Sequence, residues 1–388
     1  MNYKFISKFK TVWVLLTAIL FFAVFTLVKK TKYRKIEISD DLVLSYFNDG
    51  SSLKNGRLIF SLLSFQDTPV STTNKSYLIA LSDSGDVLYQ RKAISPNNQA
   101  ATYNFGVLDD NFYSFFIGTS VGPLTNQGTV YLLTKSFDSV LTGTIPEKAK
   151  DLDGHDIAAS PDGSIFYLFE NRGVTGSIFN NEIQKWDKNG NIIFTWDARK
   201  QFGKSFPDLK LPEVNPFHLN SIFIDSDKNI IASLSNLNAV IKIEYPSGKI
   251  LWKISKDVWT FKNDSFGGFQ MQHSVKIVDN GHLLMFDNGD LNRPSRAVEY
   301  SIDFKNRSLR QVWEYRLTGP KAIRKAEGSV QRLSNGNTLI GWGRPAEALK
   351  KPHLDTIFSE VTKDGRVVRQ LDTKDLISAY RVTFEESK

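Results

Sequence analysis

Beyond residue 36 the chain reads as short runs in which apolar residues, mostly Ile, Val, Phe and Tyr, alternate with polar ones between turn dipeptides. A period of two puts one face of each run in a core and the other toward solvent, which predicts strands and little helix. The turns themselves recur. One series is LKNGRLIF at Gly56, LDDNFYSFF at Asn111, SPDGSIFYLF at Gly163, DSDKNIIASL at Lys228, VDNGHLLMF at Gly281 and LSNGNTLIGW at Gly336, with steps of 55, 52, 65, 53 and 55 residues. A second series lies between them at Gly85, Ser139, Gly190, Gly248, Arg307 and Gly365, with steps of 54, 51, 58, 59 and 58. Asn-Gly and Asp-Gly between alternating apolar residues predict tight type I′ hairpins. Two hairpins per period make four strands, and six periods make an all-β, six-bladed β-propeller. A pair of β-sandwiches would not produce two interleaved series at one common spacing. Strands around and after Gly365 are expected to close the ring with the segment after Lys35, the first blade beginning near residue 40.

The chain before residue 36 is different. Thr11 to Val28 is an uncharged run of 18 residues between lysine-rich flanks, long enough to span a bilayer as a single N-terminal transmembrane helix. The expected organisation is therefore an anchor over residues 1–35, contacting the membrane through residues 11–28, and a propeller over 36–388. Charge changes one further reading. The chain carries 49 Lys+Arg against 41 Asp+Glu, but eight of the basic residues fall within 1–35, where there is no acid, so the remainder is neutral at 41 against 41. A nucleic-acid partner is not expected of such a domain. The absence of cysteine excludes disulfides, thiolate metal sites and cysteine nucleophiles.

Only five histidines are present. His155 and His273 each stand eight residues before the glycine of their hairpin, and His218 stands ten before Lys228. These are one repeat position, occupied elsewhere by Asn48, Tyr103 and Gly328. If this hairpin holds the inner strand of each blade, three imidazoles from consecutive blades converge on one mouth of the central funnel, the expected place for a ligand or catalytic site. His282 falls in a turn and is expected to be exposed; His353 is off register. Three histidines suit zinc, but they come one to a blade with no local ligand pair. No metal and no cofactor is therefore expected. A Walker A loop, a GxSxG elbow and a dinucleotide GxGxxG are all absent.

From His218 onward, FHLNSIFID, AVIKIEYPSGKILWKI, QHSVKI, LLMFDNGD, SRAVEYSIDF, QVWEY and GSVQRLSNGNTLIGWG resemble the bacterial arylsulfotransferases, six-bladed propellers that move sulfuryl groups between phenols without a nucleotide donor. HDIAASPDGSIFYL around His155 looks like the preceding blade, so the resemblance spans roughly residues 150–370. It implies that His218 and His273 are active-site histidines, with His155 beside them. It also implies that Arg293 or Arg296 binds sulfate; Asn220 of the HxNS motif, and Tyr103 from its place in the repeat, are further candidates for binding the substrate. A guanidinium fork suits three sulfonate oxygens, and an imidazole can exchange a phenol's proton or attack sulfur. The sequence departs from the pattern at Gly328, where a fourth repeat-position histidine would stand. The implied partners are an aryl sulfate and a phenol, with the propeller outside the cytoplasm. A non-catalytic propeller binding an anionic ligand or a protein stays open as the alternative.

Overall fold

The computed structural model describes residues 33–39, 42–64, 76–93, 100–119, 127–142, 152–172, 178–202, 215–290, 292–346, 355–375 and 377–387. Its strands form six antiparallel blades around one axis. Blade 3 runs outward through Leu152–Ala159, Ile165–Arg172, Ile178–Trp186 and Ile192–Asp197, and blade 4 through Leu219–Ile224, Ile230–Leu234, Ala239–Ile243 and Ile250–Ile254. Blade 5 starts with His273–Ile277 and gains an outer parallel strand, Thr260–Lys262 against Ser308–Tyr315. The expected transmembrane run lies outside the described residues. Among these, no helix is long and apolar enough to cross a membrane.

The expected closure is present, since Val367–Thr373 pairs with Leu42–Asn48, but the first blade does not begin near residue 40. Ile377–Glu386 pairs with Gly56–Ser64 and is the innermost strand of blade 1. Leu42–Asn48 does not belong to blade 1. It pairs with Val367–Thr373 and, with Tyr33–Ser39 beyond it, forms the outer edge of blade 6. Blade 1 therefore begins at Gly56, and Asn48 is removed from the funnel. Its place in the repeat is taken by Tyr380, on the last strand.

The apolar residues of the repeat fill the spaces between blades. Six clusters occur among the described residues, one at each blade interface. Phe166, Leu168 and Trp196 of blade 3 pack on Leu219, Ile230 and Ile241 of blade 4, and Leu58 and Phe60 of blade 1 pack on Leu44, Phe358 and Leu371 of blade 6. Burying these faces is the main drive for ring closure. A polar clasp sets the register near the axis. The Ile222 N–H donates to Asp156 Oδ2 at 2.8 Å, Val275 N–H to Ser221 Oγ at 3.2 Å, Val330 N–H to Ser274 Oγ at 3.5 Å and Val382 N–H to Ser329 Oγ at 3.0 Å. Each bond ties one inner strand to the next, satisfying backbone donors that have no strand partner on that side.

The hairpin turns are also of another kind than expected. Gly163, Gly281 and Gly336 have positive φ, and each donates its N–H to the residue three before it. The central residues before them are not left-handed, so each loop is a type I turn followed by a left-handed bulge residue. Lys228 occupies that position in blade 4 with φ of 66°.

Candidate active site

The inner strands do not run straight into the funnel mouth. Pairing slips between Asp153 and Ile157 in blade 3 and between His273 and Lys276 in blade 5. His218 precedes its strand with φ of 46°, its backbone N–H held by Asn215 Oδ1 at 2.8 Å. Such bulges re-aim side chains at strand ends, and here they bring the imidazoles of three blades side by side. His155 Nε2 and His218 Nε2 are 3.2 Å apart. The His218 and His273 ring centres are 6.3 Å apart, with the planes nearly perpendicular.

The rings of His155 and His273 are held from behind, and His218 is held through its backbone. Asp153 Oδ1 lies 2.5 Å from His155 Nδ1. Glu170 accepts from Asn215 Nδ2 at 2.8 Å, fixing the residue that clamps His218. His273 Nδ1 faces two acceptors, Asn288 Oδ1 at 2.7 Å and Met271 O at 3.1 Å. That nitrogen must carry the proton, which leaves the lone pair on Nε2.

These surroundings separate the three rings electrostatically. Burial pushes His155 down, but the Asp153 carboxylate and its hydrogen bond outweigh it and carry the ring up to about 9. Burial, then the neighbouring His155, pushes His218 well below the usual range. The same two causes push His273 down to about 3. At neutral pH the mouth thus holds one cationic imidazole beside two neutral ones. Environments that drive neighbouring groups apart in this way mark acid–base sites.

The remaining positions named from the sequence are placed elsewhere. Asn220 is fully buried and donates through Nδ2 to Gln272 O at 2.9 Å, bracing blade 4 against blade 5. Tyr103 sits at the edge of the mouth, packed on Phe116 and Tyr380. Arg293 grips Asp287 through two bonds of 2.9 Å. Arg296 is wholly buried, bonded to Asp287, Asp264, Glu314, Gln311 and Tyr300 at 2.9 to 3.0 Å. Both guanidiniums are directed to carboxylates and not to the imidazoles. The Phe286–Gly289 motif therefore has two jobs: Asp287 collects the arginines, and Asn288 orients His273. Gly328, at the repeat position of blade 6, has φ of +99°, and a Cβ there would lie 2.4 Å from the Phe286 ring. A fourth histidine has no room. His282 is half-buried, its Nδ1 2.7 Å from Glu299, and His353 lies outside the described residues.

Sequence reasoning missed Asp153, Tyr380 and Arg381. The Asp-x-His spacing was a signal for the first. Arg381 comes from the ring-closing strand, where no local pattern marks it. Its Nη2 donates to His155 O at 3.0 Å and Asn220 O at 3.1 Å and meets Asp156 at 3.0 Å, so it forms the floor beneath the imidazoles. Asp153, His155 and Glu170 bring donor atoms within 4.8 Å of one another, but Asp153 Oδ1 and His155 Nδ1 are hydrogen-bonded to each other at 2.5 Å.

A family model described as Arylsulfotransferase (ASST) matches residues 44–375, further toward the N-terminus than the motifs alone suggested. The chain is 24% identical over 266 residues to the arylsulfate sulfotransferase AssT of Escherichia coli O6:H1, covering 49% of this chain and 44% of that protein. It is 39% identical over 64 residues to the AssT of Lelliottia amnigena, covering 14% and 11%. The chain thus spans less than half the length of the curated relatives it matches. Among solved structures, a protein of unknown function from Bacteroides caccae superposes with a TM-score of 0.52 at 14% identity, covering 86% of this chain and 100% of that one. That likeness concerns the fold alone.

Proposed function

Because the chain belongs to the arylsulfotransferase family, we propose that its funnel mouth transfers a sulfuryl group from an aryl sulfate to a phenolic acceptor without a nucleotide donor. The observation that carries this reading is the side-by-side arrangement of neutral and cationic imidazoles. His273 Nε2 keeps a lone pair because both acceptors behind the ring claim the Nδ1 proton, and its low affinity for protons keeps that lone pair free at neutral pH. It either attacks sulfur, releasing the phenolate and later passing the group to a second phenol, or removes the acceptor's proton as it attacks. His218 is the neighbouring neutral ring. A propeller outside the cytoplasm, anchored through residues 11–28, completes the proposal, and a C-terminal reporter fusion tests that orientation.

The direct test incubates the purified full chain with 4-nitrophenyl sulfate and a panel of phenols, following nitrophenolate release. His273→Ala and His218→Ala are expected to lose on the order of a hundredfold or more in rate. His282→Ala, whose ring faces Glu299 on the turn side of blade 5, is expected to transfer normally. Small and equal effects at all three positions would refute the assignment in favour of an anion-binding propeller.

A further inference from the structure

Asp153 has no counterpart among the residues that hold His218 and His273, which are backbone carbonyls and side-chain amides. Its side chain is fully buried. One oxygen accepts both the His155 backbone N–H at 3.1 Å and the Nδ1 proton, while Oδ2 is buried without a hydrogen-bond partner. A carboxylate in this setting needs a counter-charge. Arg381, the guanidinium that acts on His155 in the funnel, is paired with Asp156, so the counter-charge falls to His155.

The other side of the ring supports this. Two Nε2 atoms 3.2 Å apart cannot both present lone pairs, so one of them carries the proton. With His155 doubly protonated, its Nε2–H donates to His218, and His218 keeps its own proton on Nδ1. The groups facing His155 are Asp153 on its own strand, Glu170 from the adjacent strand, Arg381 and Tyr380 from the ring-closing strand, His218 from blade 4 and, further off, His273 from blade 5. The two carboxylates favour the charged ring and Arg381 opposes it.

Resting on the sulfuryl-transfer reading, we propose that Asp153 is a positioning residue. It holds His155 as an imidazolium whose Nε2–H, released from His218 when substrate enters, receives the sulfonate oxygens at the mouth. His155 then does the work for which the sequence offered Arg293 or Arg296. No bond is made or broken at Asp153. It fixes the orientation and charge of the ring that binds the anion.

The test uses the full chain with 15N-labelled histidine, which is tractable with five histidines, and long-range 1H–15N spectra from pH 5 to 10. An imidazolium signal is expected to persist to a pH of about 9. It should be absent in His155→Gln and, in Asp153→Asn, should titrate near or below the ordinary histidine value of about 6.5. In the transfer assay, Asp153→Asn is expected to lose roughly tenfold to a hundredfold at pH 8, as removal of an orienting partner does. The alkaline limb should move down by about two pH units, with activity partly recovered at lower pH; a merely structural loss would lower the rate at every pH alike. Should Asp153→Asn not fold, the wild-type and His155→Gln spectra decide: a His155 ring already neutral at pH 8 overturns the proposal. An unchanged pH profile in Asp153→Asn overturns it as well. Transfer without the imidazolium would remove the couple and leave the sulfotransferase reading standing. The imidazolium without any transfer would remove that reading, and with it the catalytic role of Asp153.

Discussion

Arg296 is the residue for which the sequence and the structure offer different roles, and replacing it separates them. Its guanidinium is wholly buried, as are the carboxylates of Asp264 and Asp287 that it joins. Bonds to Glu314, Gln311 and the Tyr300 hydroxyl complete its shell. In Arg296→Met the apolar stem is kept and the charge removed. Asp287 retains Arg293, but Asp264 is left with the Tyr300 hydroxyl and two backbone N–H donors against a full buried charge. Breaking a buried pair from one side costs about 3–5 kcal/mol, a large share of a total stability of about 5–15 kcal/mol. The lower end is expected because Arg293 still compensates Asp287. Arg296→Lys keeps the charge but offers three donors where five are used, and should fall between the variant and the wild type. Urea unfolding followed by tryptophan fluorescence reads this as a lower midpoint with an unchanged slope. An Arg296→Met protein with the wild-type midpoint and abolished transfer would return Arg296 to the substrate and refute the structural role.

Stability should also depend on pH in a defined way. His218 and His273 are depressed in the fold, so the unfolded chain binds more protons below about 6.5, and stability should fall as pH drops from there toward 3, by up to about 1.4 kcal/mol per pH unit for each ring. His155 is raised, so its contribution is complete below about 6.5 and is lost as pH rises toward 9. Thermal unfolding across pH 4–10 should therefore peak near neutrality, and His273→Gln should flatten the acid side; an acid limb unchanged in that variant would contradict the assignment. Deleting residues 377–388 removes the innermost strand of blade 1, with the buried Ala379, Val382 and Phe384 and the funnel floor at Arg381. The truncated chain should aggregate or become protease-sensitive, and a monodisperse product with unchanged melting would show that the ring closes without it.

Much of this molecule is local and therefore legible along the chain. The alternation of Ile, Val, Phe and Tyr, and glycines such as Gly163 and Gly281 that take a left-handed backbone, depend on neighbours within a few residues, so counting them was enough to reach six blades. The near-equal spacing of His155, His218 and His273 from their turns was readable for the same reason and pointed all three to one mouth, although the clasp gives the repeat position of blade 4 to Asn220 and places His218 two residues before it. Other features depend on partners distant in sequence. Asn48 looked like a mouth residue because it precedes the Gly56 turn as His155 precedes Gly163, but ring closure gives that place to Tyr380, 332 residues later. Arg293 and Arg296 looked available for a sulfonate because sequence shows a charge and not its neighbours; Asp264, 32 residues from Arg296, binds it only in the folded blade. Protonation is further still from the sequence. Three identical side chains at one funnel mouth become one cation and two neutral rings because a buried carboxylate stands behind the first and amide or carbonyl oxygens behind the others. Burial raises the cost of an uncompensated charge, and only the tertiary structure decides which ring has a compensating one.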